Sequence, residues 1–219
     1  MRIGHASLGS NKKVSGDKAG DQTGKEVCIR EYYDKNWDYL IRAKDKGLAE
    51  RQALACEIMC NDNHIGYDQM NRNDLIALLE ALKWDYTRIN RDTECDCSSF
   101  MAACGLCGGA KIDYRGNAPT TRSMVTRFRA SGAYEITPFV SPKHNNLKRG
   151  DILVKQGSHT VMVLDDYIQN IPSKSIDQIA KEVIAGKYGD GEERKKAIKA
   201  LGYDYELVRK KVNEIVRGY

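Results

Sequence analysis

Cys97 stands in the run Asp96-Cys97-Ser98-Ser99, immediately ahead of the apolar segment Phe100 to Cys104. An Asp followed by small hydroxylated residues and then by helix formers is a helix start, so the cysteine falls in a first helical turn. There, unpaired N–H groups and the positive end of the helix dipole favour thiolate over thiol and can hold a developing oxyanion. A nucleophile that loses its proton easily is therefore expected. The base is expected downstream, where Gly157-Ser158-His159 brings a histidine out of a glycine turn into the strand-like Thr160 to Leu164. A cysteine and a histidine on separate elements are the parts of a pair that forms and then hydrolyses a thioester. For a lone cysteine a buried structural thiol is the other reading, and the downstream histidine favours the nucleophile.

These two residues need a scaffold. Cys28–Tyr33 and Trp37–Arg42 carry the alternation and aromatics of strands, and Ile152–Val154 reads as a strand after the turn Lys148-Arg149-Gly150-Asp151. Between 44 and 92 the pattern is helical. Leu48, Ala49, Ala53, Leu54, Ala55, Ile58 and Met59 form one stripe, and Asn73 to Leu82 begins a second helix after an Asn or Asp cap, with a polar turn at 61–69 between them. Behind the linker 169–175, residues 176–219 hold three apolar stripes: Ile176, Ile179, Val183 and Ile184; Ala197, Ile198 and Leu201; Leu207, Val208, Val212 and Ile215. Glycine stops divide them, which predicts a small three-helix bundle after an α+β domain over 1–168.

A length of 219 residues allows those two domains, and 41% apolar content is enough for a core. No apolar run reaches the roughly 20 residues that span a bilayer, so no membrane insertion is expected. Met1-Arg2-Ile3-Gly4-His5 is not a signal peptide; the expected location is the cytoplasm in which the chain is made, until release. A net charge of +5 spread along the chain indicates no nucleic-acid groove and is compatible with an anionic wall. Seven cysteines are an odd number without a secretion signal, which argues against a disulfide framework. Cys60, Cys95, Cys104 and Cys107 have spacings a zinc site could use, but small apolar thiols in a tightly packed helix are favoured, so neither metal nor cofactor is expected. Nothing in the sequence sets an oligomeric state.

Asp96-Cys97-Ser98-Ser99, then Arg149-Gly150-Asp151-Ile152-Leu153, then His159-Thr160-Val161-Met162 resemble, in that order, the NlpC-type, papain-like cysteine peptidases of bacterial cell walls, in the branch used by phage endolysins. The resemblance covers most of residues 1–167. It implies an antiparallel sheet packed on helices and peptidoglycan as substrate. In those endolysins the block Gly20-Asp21-Gln22-Thr23-Gly24 and its following aromatic strands stand after the histidine strand. Here they stand first, which implies a circular permutation with residues 1 to about 43 in the place of the C-terminal strands.

The resemblance also assigns roles. Ile3 to Ser7 matches the strand that orients the imidazole, so His5 is the third catalytic group, expected on Nδ1 of His159, with Asp165 and Asp166 as runners-up. Tyr67 and Gln69 would border the substrate groove, Asp96 and Ser98 would hold a free amine or amide of the peptide, and Asp21 and Gln22 would also contact substrate. Residues 73–90 look like an insertion. Residues 110–147, with Arg115, Arg122, Arg127 and Arg129, read as loops and a helix joining nucleophile to sheet rather than as a nucleic-acid patch. Residues 176–219 resemble the cell-wall-binding repeat at the C-termini of phage lysozymes, through Ile179 to Gly191 and Gly202-Tyr203-Asp204-Tyr205. This implies wall contact through Lys187, Tyr188, Gly189, Asp190, Gly191 and Arg194. The implied function is an endolysin-like hydrolase cutting a stem-peptide amide. Cleavage of the sugar–peptide amide by the same residues, as an N-acetylmuramoyl-L-alanine amidase, and non-catalytic wall binding are the alternatives.

Overall fold

The computed structural model describes residues 1–8, 13–15, 18–167 and 174–217. Gly16 and Asp17 of the glycine-punctuated loop, linker residues 169–173 and the last two residues of the expected C-terminal domain lie outside the described residues. The chain divides into two compact units, Met1–Tyr167 and Ile168–Tyr219.

The first unit is mixed α and β. Its strands β1 (Arg2–Ala6), β2 (Val27–Glu31), β3 (Tyr39–Ala43), β6 (Tyr134–Pro138), β7 (Ile152–Lys155) and β8 (His159–Val163) form one six-stranded antiparallel sheet in the order β2-β1-β8-β7-β3-β6. Period-two side-chain alternation divides the four central strands, β1, β8, β7 and β3, between two cores. Met162 of β8, Ile152 and Val154 of β7 and Ala6 of β1 join the larger cluster with the helices. Val161, Val163, Leu153 and Ile3 point the other way and pack with Trp37, Leu40 and Leu147.

The helices are α1 (Lys46–Met59), α2 (Asp74–Ala81), α3 (Cys97–Cys107) and α4 (Met124–Ala130). Asp45 starts α1 by accepting from the Leu48 backbone N–H. Cys97 to Leu106 are all buried, so α3 is an all-round interior helix rather than an amphipathic one. Small residues make that possible: a Cβ at Gly105 would sit 2.7 Å from Ile112 and 2.8 Å from the Tyr134 hydroxyl. The turn before β7 also needs glycine. Gly150 has φ +88°, a Cβ there would strike the Ala49 backbone, and its carbonyl accepts from Gln52 Nε2 at 2.6 Å. Asp151 beside it is buried, but Arg42 clamps both its carboxylate oxygens at 2.8 and 2.5 Å.

Three features differ from the sequence expectation. The segment read as a polar turn contains β4 (Ile65–Tyr67), paired in parallel with β5 (Thr93–Cys95) just ahead of the nucleophile helix. β6 lies in a stretch read as loops and helix. Trp37 precedes β3 instead of opening it. Strands of three residues are too short to display a two-residue period, and β6 alternates only weakly.

In the second unit α5 (Ile176–Ile184), α6 (Gly191–Ala200) and α7 (Tyr205–Arg217) surround a small core of Ile179, Val183, Ile198, Tyr203 and Val208. A capping box between Ser175 and Gln178 starts α5. Ile184, Leu201 and Leu207 of the expected stripes are exposed. No helix among the described residues is long and apolar enough to cross a membrane.

Candidate active site

Cys97 is the first residue of α3 because Asp96 caps the helix. The Asp96 carboxylate accepts from the Ser99 backbone N–H, and Ser99 Oγ accepts from the Asp96 N–H, so both ends of the capping box are made. Arg72, itself buried, fixes this cap: Nε donates to Asp96 Oδ2 at 2.7 Å and Nη2 to Oδ1 at 3.2 Å and to Ser98 Oγ at 3.1 Å. Arg72 also donates to the carbonyls of Ala118 and Pro119. Both Asp96 oxygens are thus already engaged by protein donors, and Ser98 is only 2% exposed.

The backbone N–H groups of Ser98 and of Thr160, the residue after His159, lie near enough to the Cys97 sulfur to favour its thiolate, so the start of α3 and β8 come close to one another there. The expectation of an easily ionised thiol is corrected here. Burial pushes the Cys97 thiol up to about 12 and the Asp96 carboxylate adds to the rise, against which the two N–H groups are insufficient. Desolvation outweighs the helix end.

His159 Nε2 lies 3.3 Å from His5 Nδ1. His5 therefore sits on Nε2 of His159 and not on Nδ1 as expected. The reason is register: β1 pairs with β8, so His5 comes from the neighbouring strand onto the same face. Tyr33 and Trp37 lie against the His159 ring, with centroids at 6.5 and 6.3 Å and planes at 17° and 29°. Burial pushes His159 down to about 4, with Lys35 and Arg30 adding to it and Asp96 opposing, and burial together with His159 and Arg30 pushes His5 down to about 3. At neutral pH Cys97 is a thiol and both imidazoles are uncharged. Asp165 pairs with Arg2 and Asp166 accepts from the Arg149 N–H, so neither runner-up is the partner of His159.

Tyr67 ends β4 beside this site, and the charge of a Cys97 thiolate would be felt at its phenol, whose pKa burial raises. Its hydroxyl accepts from Gln69 Nε2 at 3.0 Å. Asp21 is the staple of its own loop, accepting from the N–H groups of Thr23, Gly24 and Glu26, while Gln22 Nε2 donates to the Gly20 carbonyl. A cavity of about 590 Å³ lined by Trp84, Leu106 and Tyr114 lies at the far end of α3 from Cys97. Cys56 and Cys60 sulfurs are 4.0 Å apart, all seven cysteines are free thiols, and no group of three or more His, Cys, Asp or Glu among the described residues is arranged to hold a metal.

In the second unit Lys187 pairs with Glu182 at 2.8 Å, the Tyr188 hydroxyl donates to the other Glu182 oxygen at 2.5 Å, and Arg194 Nε donates to the Gly189 carbonyl at 2.9 Å and pairs with Asp190. Lys174 joins Glu182 as well, and these donors hold its carboxyl down at about 2. Gly189 and Gly191 have φ of +69° and +54°, and Gly191 opens α6.

Sequence reasoning missed Arg72, Tyr33 and Trp37 as parts of the site. Arg72 lies in an unremarkable Asn-Arg-Asn run, and the aromatics were legible only as strand formers.

Comparison with known families agrees with a cell-wall role. Residues 3–169 match the endolysin-like domain, and the chain belongs to that family. Residues 177–216 match the CW_7 repeat, so this is a phage-endolysin-like cell-wall protein with a cell-wall repeat at its C-terminal side. No curated protein and no solved structure gives a match.

Proposed function

We propose that the protein is a cysteine-dependent peptidoglycan hydrolase of NlpC type that cuts an amide of the stem peptide. The observation that carries this reading is the convergence at one place of a capped helix start bearing Cys97 and a strand bearing His159, whose outer nitrogen contacts His5. His159 Nδ1 takes the Cys97 proton as sulfur attacks the carbonyl carbon, and backbone N–H groups at the helix start hold the oxyanion. The protonated imidazole then gives its proton to the leaving amine, and water releases the thioester. Since thiol and imidazoles are neutral at rest, proton transfer accompanies attack rather than preceding it. Tyr67, with Gln69 on its hydroxyl, borders the approach, and Asp96 and Ser98 hold the nucleophile's helix in place. Asp21 and Gln22 shape the neighbouring loop.

The sheet order supports a permuted papain-like arrangement, because β1 and β2 extend the sheet outward from the histidine strand β8. In the second unit, the turn Lys187 to Gly191 with Arg194 is the wall-contacting surface, and its glycines let a sugar ring or peptide approach the backbone closely. Cys97→Ala should lower lysis of purified walls by at least ~10³-fold while wall binding persists. Mass analysis of the fragments identifies the bond cut: a free lactoyl sugar end would mean amidase action. Undiminished lysis by Cys97→Ala would sink the cysteine mechanism.

A further inference from the structure

The hydrogen-bond chain behind His159 continues past His5. In the β1–β2 register His5 stands directly opposite Cys28, so the two side chains share one face of the sheet. Cys28 Sγ lies 3.6 Å from His5 Nε2 and 3.4 Å from the Lys25 carbonyl oxygen. A carbonyl oxygen only accepts, so the hydrogen of the second contact belongs to sulfur. Sulfur is then left with a lone pair for His5, whose Nε2 must carry the ring hydrogen. A neutral imidazole has one N–H, so His5 Nδ1 is an acceptor, and it takes the N–H of His159 Nε2 across 3.3 Å. That leaves a lone pair on His159 Nδ1.

From these contacts we infer that Cys28 is a positioning residue that fixes the tautomers of both imidazoles, through His5, and so keeps His159 Nδ1 free to act as base. The inference rests on the hydrolase reading above. Burial raises the Cys28 pKa, which keeps its thiol protonated and the direction of the chain set. Without the sulfur, His5 has no acceptor at Nε2 and can put its hydrogen on Nδ1 instead. It would then donate to His159 Nε2 and force the His159 hydrogen onto Nδ1, where no proton can be taken from Cys97.

The test uses the full-length chain with ¹⁵N-labelled histidine, read by long-range ¹H–¹⁵N correlation at pH 7, beside turnover of solubilised peptidoglycan. His5 and His159 should both be Nε2–H tautomers. Cys28→Ala should populate the Nδ1–H form of His5 and lower kcat about tenfold with KM little changed, the discrimination of one neutral hydrogen bond. Cys28→Ser, which keeps a donor and an acceptor, should restore both. An Nδ1–H tautomer at His5 in the unaltered protein overturns the inference. So does a Cys28→Ala protein whose tautomers match the parent's, whatever its activity, because a loss of kcat without a tautomer change marks packing alone. Failure of the underlying hydrolase reading is separately visible, as lysis retained by Cys97→Ala, whereas the tautomer spectra need no turnover.

Discussion

The two units build their candidate sites in opposite ways. In the first, Cys97, His159 and His5 come from α3, β8 and β1, Cys97 and His5 are buried and His159 half-buried, and the two histidines meet only because strands distant in sequence are neighbours in the sheet. In the second, Lys187 to Gly191 form one short turn, with Arg194 on the helix that follows, and their charged contacts are local and largely exposed, over a core of five buried side chains. A site assembled over long range inherits every defect of its fold, while a local turn depends only on its own helices.

The largest expected effect breaks the long-range side alone. Removing residues 1–43 takes away β1, between β2 and β8, and β3, between β7 and β6. The first unit should lose its near-ultraviolet circular dichroism and its activity, whereas a segment of residues 174–219 should keep its helical signal by itself. A truncated protein that still lyses walls would refute both the comparison and the permuted arrangement. His5→Ala comes next. With the sheet intact, it should lower kcat about a hundredfold through loss of imidazole orientation, and a change within twofold would remove His5 from the site.

Acid should then separate the units. His5 and His159 are depressed to about 3 and about 4, so below the ordinary histidine pKa the unfolded chain binds more protons than the folded one. Their contribution is complete above about pH 6.5 and falls as the pH drops toward 4, by roughly 3 kcal/mol for each. The thermal midpoint of the first unit should decline over that window, and His5→Gln should flatten the decline. An unchanged slope would mean that the imidazoles are better solvated than their burial implies. The smallest effect belongs to the local turn. Lys187→Ala removes an exposed pair, so the midpoint should hardly move while sedimentation of residues 174–219 with purified walls weakens and becomes less salt-dependent. Binding indifferent to both salt and the substitution would shift wall contact away from this turn.

The same contrast governs what could be read in advance. The Asp96 cap and the glycine turn before His159 are local patterns and were legible, as were the three helices of the second unit. The ionisation of Cys97 was read the wrong way round because burial is a tertiary property: a helix start is visible in four residues, but the strands that cover the thiol are not. The Nε2 contact of His5, the Arg72 clamp on Asp96 and the Tyr33 and Trp37 faces against His159 likewise depend on register and on which strands are neighbours, neither of which is written in any one segment.

The pairing of β1 with β8 also sets a timetable. His5 and His159 are 154 positions apart, and the sheet that joins them closes only when the last strand has been made. At the usual ~5–20 residues per second, on the order of ten to thirty seconds separate synthesis of the first histidine from that of the second. Cys97 is made before His159 as well, so on the proposed mechanism the growing chain has no complete Cys–His pair, and no activity, until near the end of the unit's synthesis. Pairing over such a span also places this fold among the slow ones, with β1 and its apolar Ile3 exposed to wrong partners until β8 emerges.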